Sequence, residues 1–235
     1  MLRLMRSAPL SALFAAVVLS SCSLFRSAPA DRDYTLVYLK TGPAQGLTKD
    51  AQQQAFSGHM ANMGKLAREG KLVLAGPFGQ KRSDNALRGI FVLATSDQKE
   101  AQRIAETDPA VQAGVFSLEF HAFRTAAPLS RFLAAELARE DAEKAAGRTP
   151  KPGEFGRGYA LLIADEFDTM VEAIDGRRDV LLTARFDGTK GVAVLNCIDR
   201  VAAEEAFALL RDQLGVHRFE EWFASKGLEQ LPSMQ

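Results

Sequence analysis

The chain has 235 residues, 47% of them hydrophobic and 25% charged, with 29 basic against 29 acidic side chains. That length suffices for one large domain or two small ones with an ample core, and the composition is that of an ordinary globular protein. A formal charge of zero leaves no electrostatic footprint for nucleic acid, so no nucleic-acid partner is expected.

The first residues do not read as part of the fold. Arg3 and Arg6 precede an apolar run, Ala8–Leu19, that is too short to span a membrane as a mature helix and suits a signal peptide. Leu19-Ser20-Ser21-Cys22 then resembles a bacterial lipobox, which makes Cys22 the lipidated first residue of the mature protein. An ordinary signal peptide cut nearby, or an uncleaved anchor, is the alternative. The expectation is a signal peptide over 1–21 and a membrane partner reached through an N-terminal lipid anchor, since two acyl signals suffice for stable attachment. Ser23, not Asp, follows Cys22, which by analogy with lipoprotein sorting favours the outer membrane, facing the periplasm. Cleavage removes two arginines and leaves 27 bases against 29 acids. With Cys22 acylated, Cys197 is the one remaining thiol and no intrachain disulfide can form. Cys197 lies in the apolar run Val192–Cys197 and reads as a small buried hydrophobe rather than a nucleophile.

A tether over 22–33 leads to a first strand at Tyr34–Leu39, ended by Thr41-Gly42-Pro43. Thr48 is a candidate N-cap for a helix reaching Arg68, in which Phe56, Met60, Met63 and Ala67 recur at helical spacing as a buried face. His59 flanks that face, and Gly70 fits the left-handed position beyond the helix. Lys71–Ala75 reads as a strand stopped by Gly76-Pro77, Gln80–Leu87 as a polar loop, and Gly89–Ala94 as a third strand. Ser96 or Asp97 caps a second helix to about Glu106, and Asp108-Pro109 opens a short helical turn closing at Gly114. Phe116, Leu118 and Phe120 alternate with Ser117, Glu119 and His121, the period of a half-buried strand. The order βαββαβ is the ferredoxin-like split unit of the α+β class, and the face of its sheet away from the helices needs a second layer.

Residues 126–158 hold a charged amphipathic helix, Leu129–Ala146, apolar at Leu129, Phe132, Leu133 and Leu137, then a Gly/Pro linker over Gly147–Gly158. The remainder, 159–235, echoes the first unit. Tyr159–Ile163 matches Tyr34–Tyr38, Asp179–Phe186 matches Lys71–Phe78, and Gly191–Cys197 with Asp199 and a helix to about Leu214 match Gly89–Thr95, Asp97 and the second helix. The alternative is two unrelated strand–helix segments alike in composition. In the second copy only Asp165–Arg178 separates the first two strands, so the first helix is shortened, and both the histidine and the Gly-Pro are missing. A duplicated chain would pack sheet to sheet as an α+β barrel-like pseudo-dimer with at most one complete site, in the N-terminal half. It would be a monomer with an internal pseudo-dimer; a homodimer is the alternative.

A helix histidine followed by EGKLVLAGPF, the strand GIFVLAT, a helix and TDPAVQAGVF resembles the YCII-related domain family over 34–125. The resemblance implies a ferredoxin-like unit whose second layer is commonly a partner's sheet. It also implies a His–Asp pair, which by motif falls on His59 and on Asp108 of DPxVxAGV. Gly76, Pro77 and Phe78 would shape the pocket wall, and Arg88 would hold an anionic group of a small-molecule ligand.

From the residues alone, His59 is equally a boundary histidine bonded to a loop, Asp108 a helix cap, Arg88 a surface arginine, and Asp84 a loop residue or a second partner for the imidazole. His121 and Glu119 either line an inter-sheet cavity or pair across strands. None of His59, His121 and His217 sits at a metal-ligand spacing, and no phosphate-binding or GxSxG pattern occurs, so no metal or cofactor is expected. Three readings follow. The favoured one is an envelope lipoprotein that binds a small molecule. The others are a lyase, isomerase or dehydrochlorinase-like enzyme using His59 and Asp108, and a structural protein contacting a partner through the charged helix.

Overall fold

The structure, a computed structural model, describes residues 32–148 and 154–234. The leader, Cys22 and most of the tether lie outside the described residues. In the first lobe, β1 (Arg32–Thr41), α1 (Lys49–Arg68), β2 (Leu72–Pro77), β3 (Leu87–Leu93), α2 (Gln98–Ala105), α3 (Pro109–Gln112) and β4 (Phe116–Thr125) follow in order. Then α4 (Leu129–Ala145) leads to a second lobe of β5 (Gly156–Ala164), α5 (Phe167–Ala173), β6 (Val180–Phe186), β7 (Lys190–Leu195), α6 (Arg200–Ala206) and β8 (His217–Ser225). No helix among the described residues is long and apolar enough to cross a membrane.

All eight strands form one antiparallel sheet in the order β2-β3-β1-β4-β6-β7-β5-β8. Each half of that order is the ferredoxin arrangement, so the expected duplication is present in the topology. The registers agree to the residue. A shift falls between Leu72 and Leu74 on β2, and the same shift falls between Val180 and Leu182 on β6. The seams match too: β4 meets β6 through Phe123 opposite Phe186, and the two outer edges meet through Phe78 opposite Trp222. A backbone bond from Gly79 N–H to the Glu221 carbonyl, 2.8 Å, supports the second seam. The sheet thus curls into a nearly closed barrel whose two lobes face each other across one interior.

Strand alternation divides the apolar residues into an interior and two outer layers. Tyr34, Leu36, Tyr38, Phe123, Tyr159, Leu161 and Trp222 point inward. Val37, Leu39, Phe91 and Leu93 pack under α1 and α2, and Ala160, Leu162, Ala193 and Leu195 pack under α5 and α6. Helix ends are satisfied where the sequence suggested. Thr48 Oγ1 accepts from Ala51 N–H, and Asp97 and Asp199 cap α2 and α6. Cys197 is buried and free, and burial pushes its thiol pKa up, which keeps it protonated and inert at neutral pH.

One expectation about α1 is reversed. Its buried residues are Ala55, His59 and Leu66, while Phe56 and Met60 are 61% and 52% exposed. Phe56 and Met60 are held off the sheet by a cavity, while Met63 of the same row packs, half-buried, against the core under α1.

Candidate functional site

Chain geometry brings His59 and Asp108 together from 49 residues apart. The His59 imidazole is buried on α1, and its Nδ1 lies 2.6 Å from Asp108 Oδ2. Asp108 is fully buried at the start of α3, where its other oxygen, Oδ1, accepts from Ala110 N–H at 2.9 Å. One carboxylate therefore caps a helix and orients an imidazole, each with a separate oxygen. Gly58 makes the approach close: a Cβ there would stand 2.8 Å from the Pro109 ring. Asn62 adds a bond of 3.2 Å to Thr107 on the same junction.

The ring is also fixed on its faces. It stacks on Phe91 at 5.8 Å between centroids and meets the edge of Phe116 at 5.3 Å. A carboxylate only accepts, so Nδ1 carries the proton that Asp108 receives and Nε2 carries the free lone pair in the neutral ring. No protein partner for Nε2 is found among the described residues.

His59 borders a cavity of about 560 Å³ between α1 and the outer face of the sheet. Leu39, Phe56, Met60, Met63, Phe91 and Phe116 give it an apolar lining from the first lobe. Gly76, Pro77 and Arg88 line it as the sequence suggested. Arg88 is half-buried there, with Nε donating to Thr41 Oγ1 at 2.9 Å and no carboxylate partner among the described residues. Phe78 does not line it. Adjacent strand residues point to opposite faces, and Phe78 points into the barrel, 6.1 Å from the Tyr38 ring. Asp84 is likewise not a partner of His59; its carboxylate accepts from Ala86 N–H within its own loop.

Sequence reasoning missed the opposite wall. Phe155, Gly156, Phe223, Ala224 and Ser225, all from the second lobe, complete the cavity. Phe155 is held under the Arg139 guanidinium, 3.9 Å from its ring centre, and Phe223 stands on β8 where that strand passes β2. Only the pairing of β8 with β5 carries them there, and nothing local in the sequence announces it.

The equivalent place in the second lobe is filled. A Cβ on Gly191, the counterpart of Gly89, would meet the Met170 side chain and the backbone of Phe167, both at 2.9 Å. The shortened α5 has settled onto β7, the counterpart of the strand whose Gly89 lines the cavity in the first lobe.

His121 and Glu119 face the barrel interior. His121 bonds through Nδ1 to Asp187 of the second lobe, and its Nε2 lies 2.9 Å from Glu119. By the register of the seams, Glu220 is the counterpart of His121; it is fully buried and accepts from Ser83 N–H at 2.8 Å. Each lobe therefore reaches into the other's β-hairpin loop with one polar side chain. His217 donates from Nδ1 to the Gly215 carbonyl, 2.7 Å away. No group of three or more His, Cys, Asp or Glu side chains among the described residues could hold a metal ion.

Two ferredoxin-like lobes in one curled antiparallel sheet define an α+β barrel, and the His59–Asp108 pair with its adjoining cavity belongs to the first lobe, without a counterpart at the equivalent place in the second among the described residues. Residues 34–120 match the family model of the YCII-related domain. The match spans β1 to the middle of β4, so the second lobe is assigned by its topology. No curated protein and no solved structure matches the chain.

Proposed function

We propose that the cavity beside His59 binds a small molecule with an apolar body, and that His59 exchanges a proton with it while Asp108 orients the ring. The observation that carries this reading is the 2.6 Å bond from Nδ1 to a fully buried carboxylate, made by an imidazole whose ring borders an apolar cavity. An imidazole held in one tautomer by a carboxylate is the usual construction of a general acid–base at neutral pH. A volume of about 560 Å³ is that of a metabolite site rather than a packing defect. The reaction class is proton transfer at carbon or at a leaving group, as in isomerases and lyases; a pure binding protein would use the same pair as a hydrogen-bond anchor.

The test is a thermal-shift panel of small carboxylates and aromatic acids on the wild type and on His59→Ala, followed by NMR of each hit in D2O. Binding and deuterium incorporation that both vanish in His59→Ala are the expected result. A shift that survives the substitution unchanged removes His59 from the site, and binding without isotope exchange leaves the anchor role alone.

The location of the protein is proposed from its sequence. Residues 1–21 would be removed as a signal peptide, and Cys22 would carry the lipid that anchors the chain to the bacterial envelope, facing the periplasm. The support is the run Ala8–Leu19 ending at Leu19-Ser20-Ser21-Cys22. Mass spectrometry of the mature N-terminus decides it: an acylated Cys22 is expected, and a free amine downstream of Cys22 overturns the anchor.

A further inference from the structure

The His59 cavity does not end at its own walls. A second hollow of about 310 Å³ adjoins it and shares Met60, Met63, Ala75 and Ser225 with it. On α1 the first cavity touches Phe56, His59, Met60 and Met63, and the second continues along Met60, Met63, Gly64 and Ala67. On β2 the first takes Ala75, Gly76 and Pro77, and the second takes Leu72 to Ala75. The two form one groove running along the helix and back down the strand. Twelve residues of α1, from Phe56 to Ala67, give it a length of about 16 Å.

The groove is polarised. At the Pro77 end stands Arg88, whose carbonyl accepts from Phe78 N–H at 2.9 Å and whose guanidinium has no carboxylate partner among the described residues. His59 is on the same side. The middle is apolar: Met60, Met63 and Ala75, then Leu72, Val73 and Leu74. At the far end Phe132 and Leu133 of α4 form the wall, and the one carboxylate in the lining, Glu136, is occupied by Arg139 and by the Ser225 hydroxyl. A compact polar metabolite would leave most of this surface wet. One cation at one end, an imidazole beside it and a long sulfur-and-aromatic channel behind them match a different chemistry.

We infer that the ligand of this site is an elongated acyl carboxylate, its head group at Arg88 and His59 and its hydrocarbon tail in the groove between α1, β2 and α4. This rests on the proposed reading of the His59 cavity as a ligand site and adds the substrate class.

Gly64 supplies a clean test. It lines the tail groove, and a Cβ there would meet nothing within 4 Å, so a larger side chain can be built without disturbing the helix. The probes are straight-chain alkanoates from butanoate to tetradecanoate below micellar concentration, with dodecyltrimethylammonium as the opposite-charge control. Binding to the full chain is read by calorimetry and by fluorescence of Trp222, the only tryptophan, whose Nε1–H donates to the Gly76 carbonyl in the cavity wall at 3.0 Å. Each added methylene should tighten binding about threefold to fourfold until the groove is full. Gly64→Phe should leave hexanoate unaffected and weaken dodecanoate at least tenfold. Arg88→Gln should weaken both by about tenfold, the loss of a charge-assisted contact.

Equal affinity for hexanoate and dodecanoate overturns the acyl assignment while the His59 site for a compact ligand stands. Affinity that climbs with chain length but ignores both substitutions, or that is matched by the cationic control, is partition onto apolar surface and overturns it as well. Absence of binding by every alkanoate, together with a small-molecule panel that finds no ligand dependent on His59, takes away both readings at once.

Discussion

Asp108 has two oxygens, and each has a different obligation. Oδ1 caps α3 and Oδ2 accepts from His59. Asp108→Asn keeps an oxygen for the cap but presents an amide N–H₂ to the ring. Nδ1 must then become the acceptor, and the proton moves to Nε2. We expect a folded protein less stable by about 1–2 kcal/mol, with the His59 tautomer reversed in ¹⁵N NMR and proton exchange lost. Asp108→Ala removes cap and orienter together and should cost about 2–4 kcal/mol in denaturant unfolding. If Asp108→Asn retains wild-type isotope exchange, the carboxylate does not set the tautomer. Two glycines on the same helix make a matched pair. Gly58→Ala places a Cβ 2.8 Å from the stiff Pro109 ring and should destabilise by about 1–2 kcal/mol, loosening the His59–Asp108 contact. Gly64→Ala meets nothing and should stabilise by up to about 1 kcal/mol. Equal effects of the two substitutions would show that α3 does not bear on α1 in solution.

At the scale of elements, the decisive strand is β8. It closes the barrel against β2 and brings Phe223, Ala224 and Ser225 to the cavity. The first lobe was legible because β1, β2 and β3 are short apolar runs between turn residues, β4 alternates apolar and polar side chains, and its helices begin at Thr48, Asp97 and Asp108, residues that cap. β8 was not legible, because its inward face carries Arg218 and Glu220 beside Trp222 and Ala224. Charged side chains on the buried face erase the apolar alternation that marks a strand. The cavity misled in the opposite direction. Phe56 and Met60 look like core at helical spacing, yet they line the cavity and are largely exposed. His59 and Asp108 could be paired only through the family motif; spacing alone leaves a histidine and a helix cap 49 residues apart. The seam itself can be tested at Gly76, where a Cβ would run into the Phe223 carbonyl and crowd the Trp222 indole. Gly76→Ala should destabilise the fold by about 1–3 kcal/mol and shift Trp222 emission to the red as the seam opens. The counterpart Ala184 carries its methyl fully buried, since it lies on the other seam. Wild-type emission and stability in Gly76→Ala would mean that β8 and β2 are not in contact.

At the scale of the whole molecule, the barrel interior is a mixed core. Apolar rings fill one part, and a set of ionisable groups shared between the lobes fills the other. Tyr38 stands at the boundary, 5.1 Å from the His121 ring. Burial pushes its hydroxyl up to about 12, against the partly offsetting Arg218 guanidinium, with Glu220, Glu119 and Asp187 adding to the rise. Tyr159, whose hydroxyl donates to the Ser225 carbonyl at 2.9 Å, is also pushed up to about 12 by burial. Below pH 10 each ring is protonated in both the folded and the unfolded chain, and neither changes stability with pH. Between pH 10 and about 12 the unfolded chain has released these protons and the folded chain has not. Unfolding then lets protons go, so stability falls as the pH rises through that window. A gap of that width in one ionisation corresponds to about 3 kcal/mol, an upper bound for Tyr38. Tyr38→Phe keeps the ring that packs against Phe78 and His121 and removes the ionisation. Urea midpoints measured from pH 9 to 11.5 should therefore fall less steeply in Tyr38→Phe than in the wild type, the two curves separating only above pH 10. Parallel curves across that range would mean that the Tyr38 hydroxyl is in contact with water, and that the two lobes do not close over a common interior.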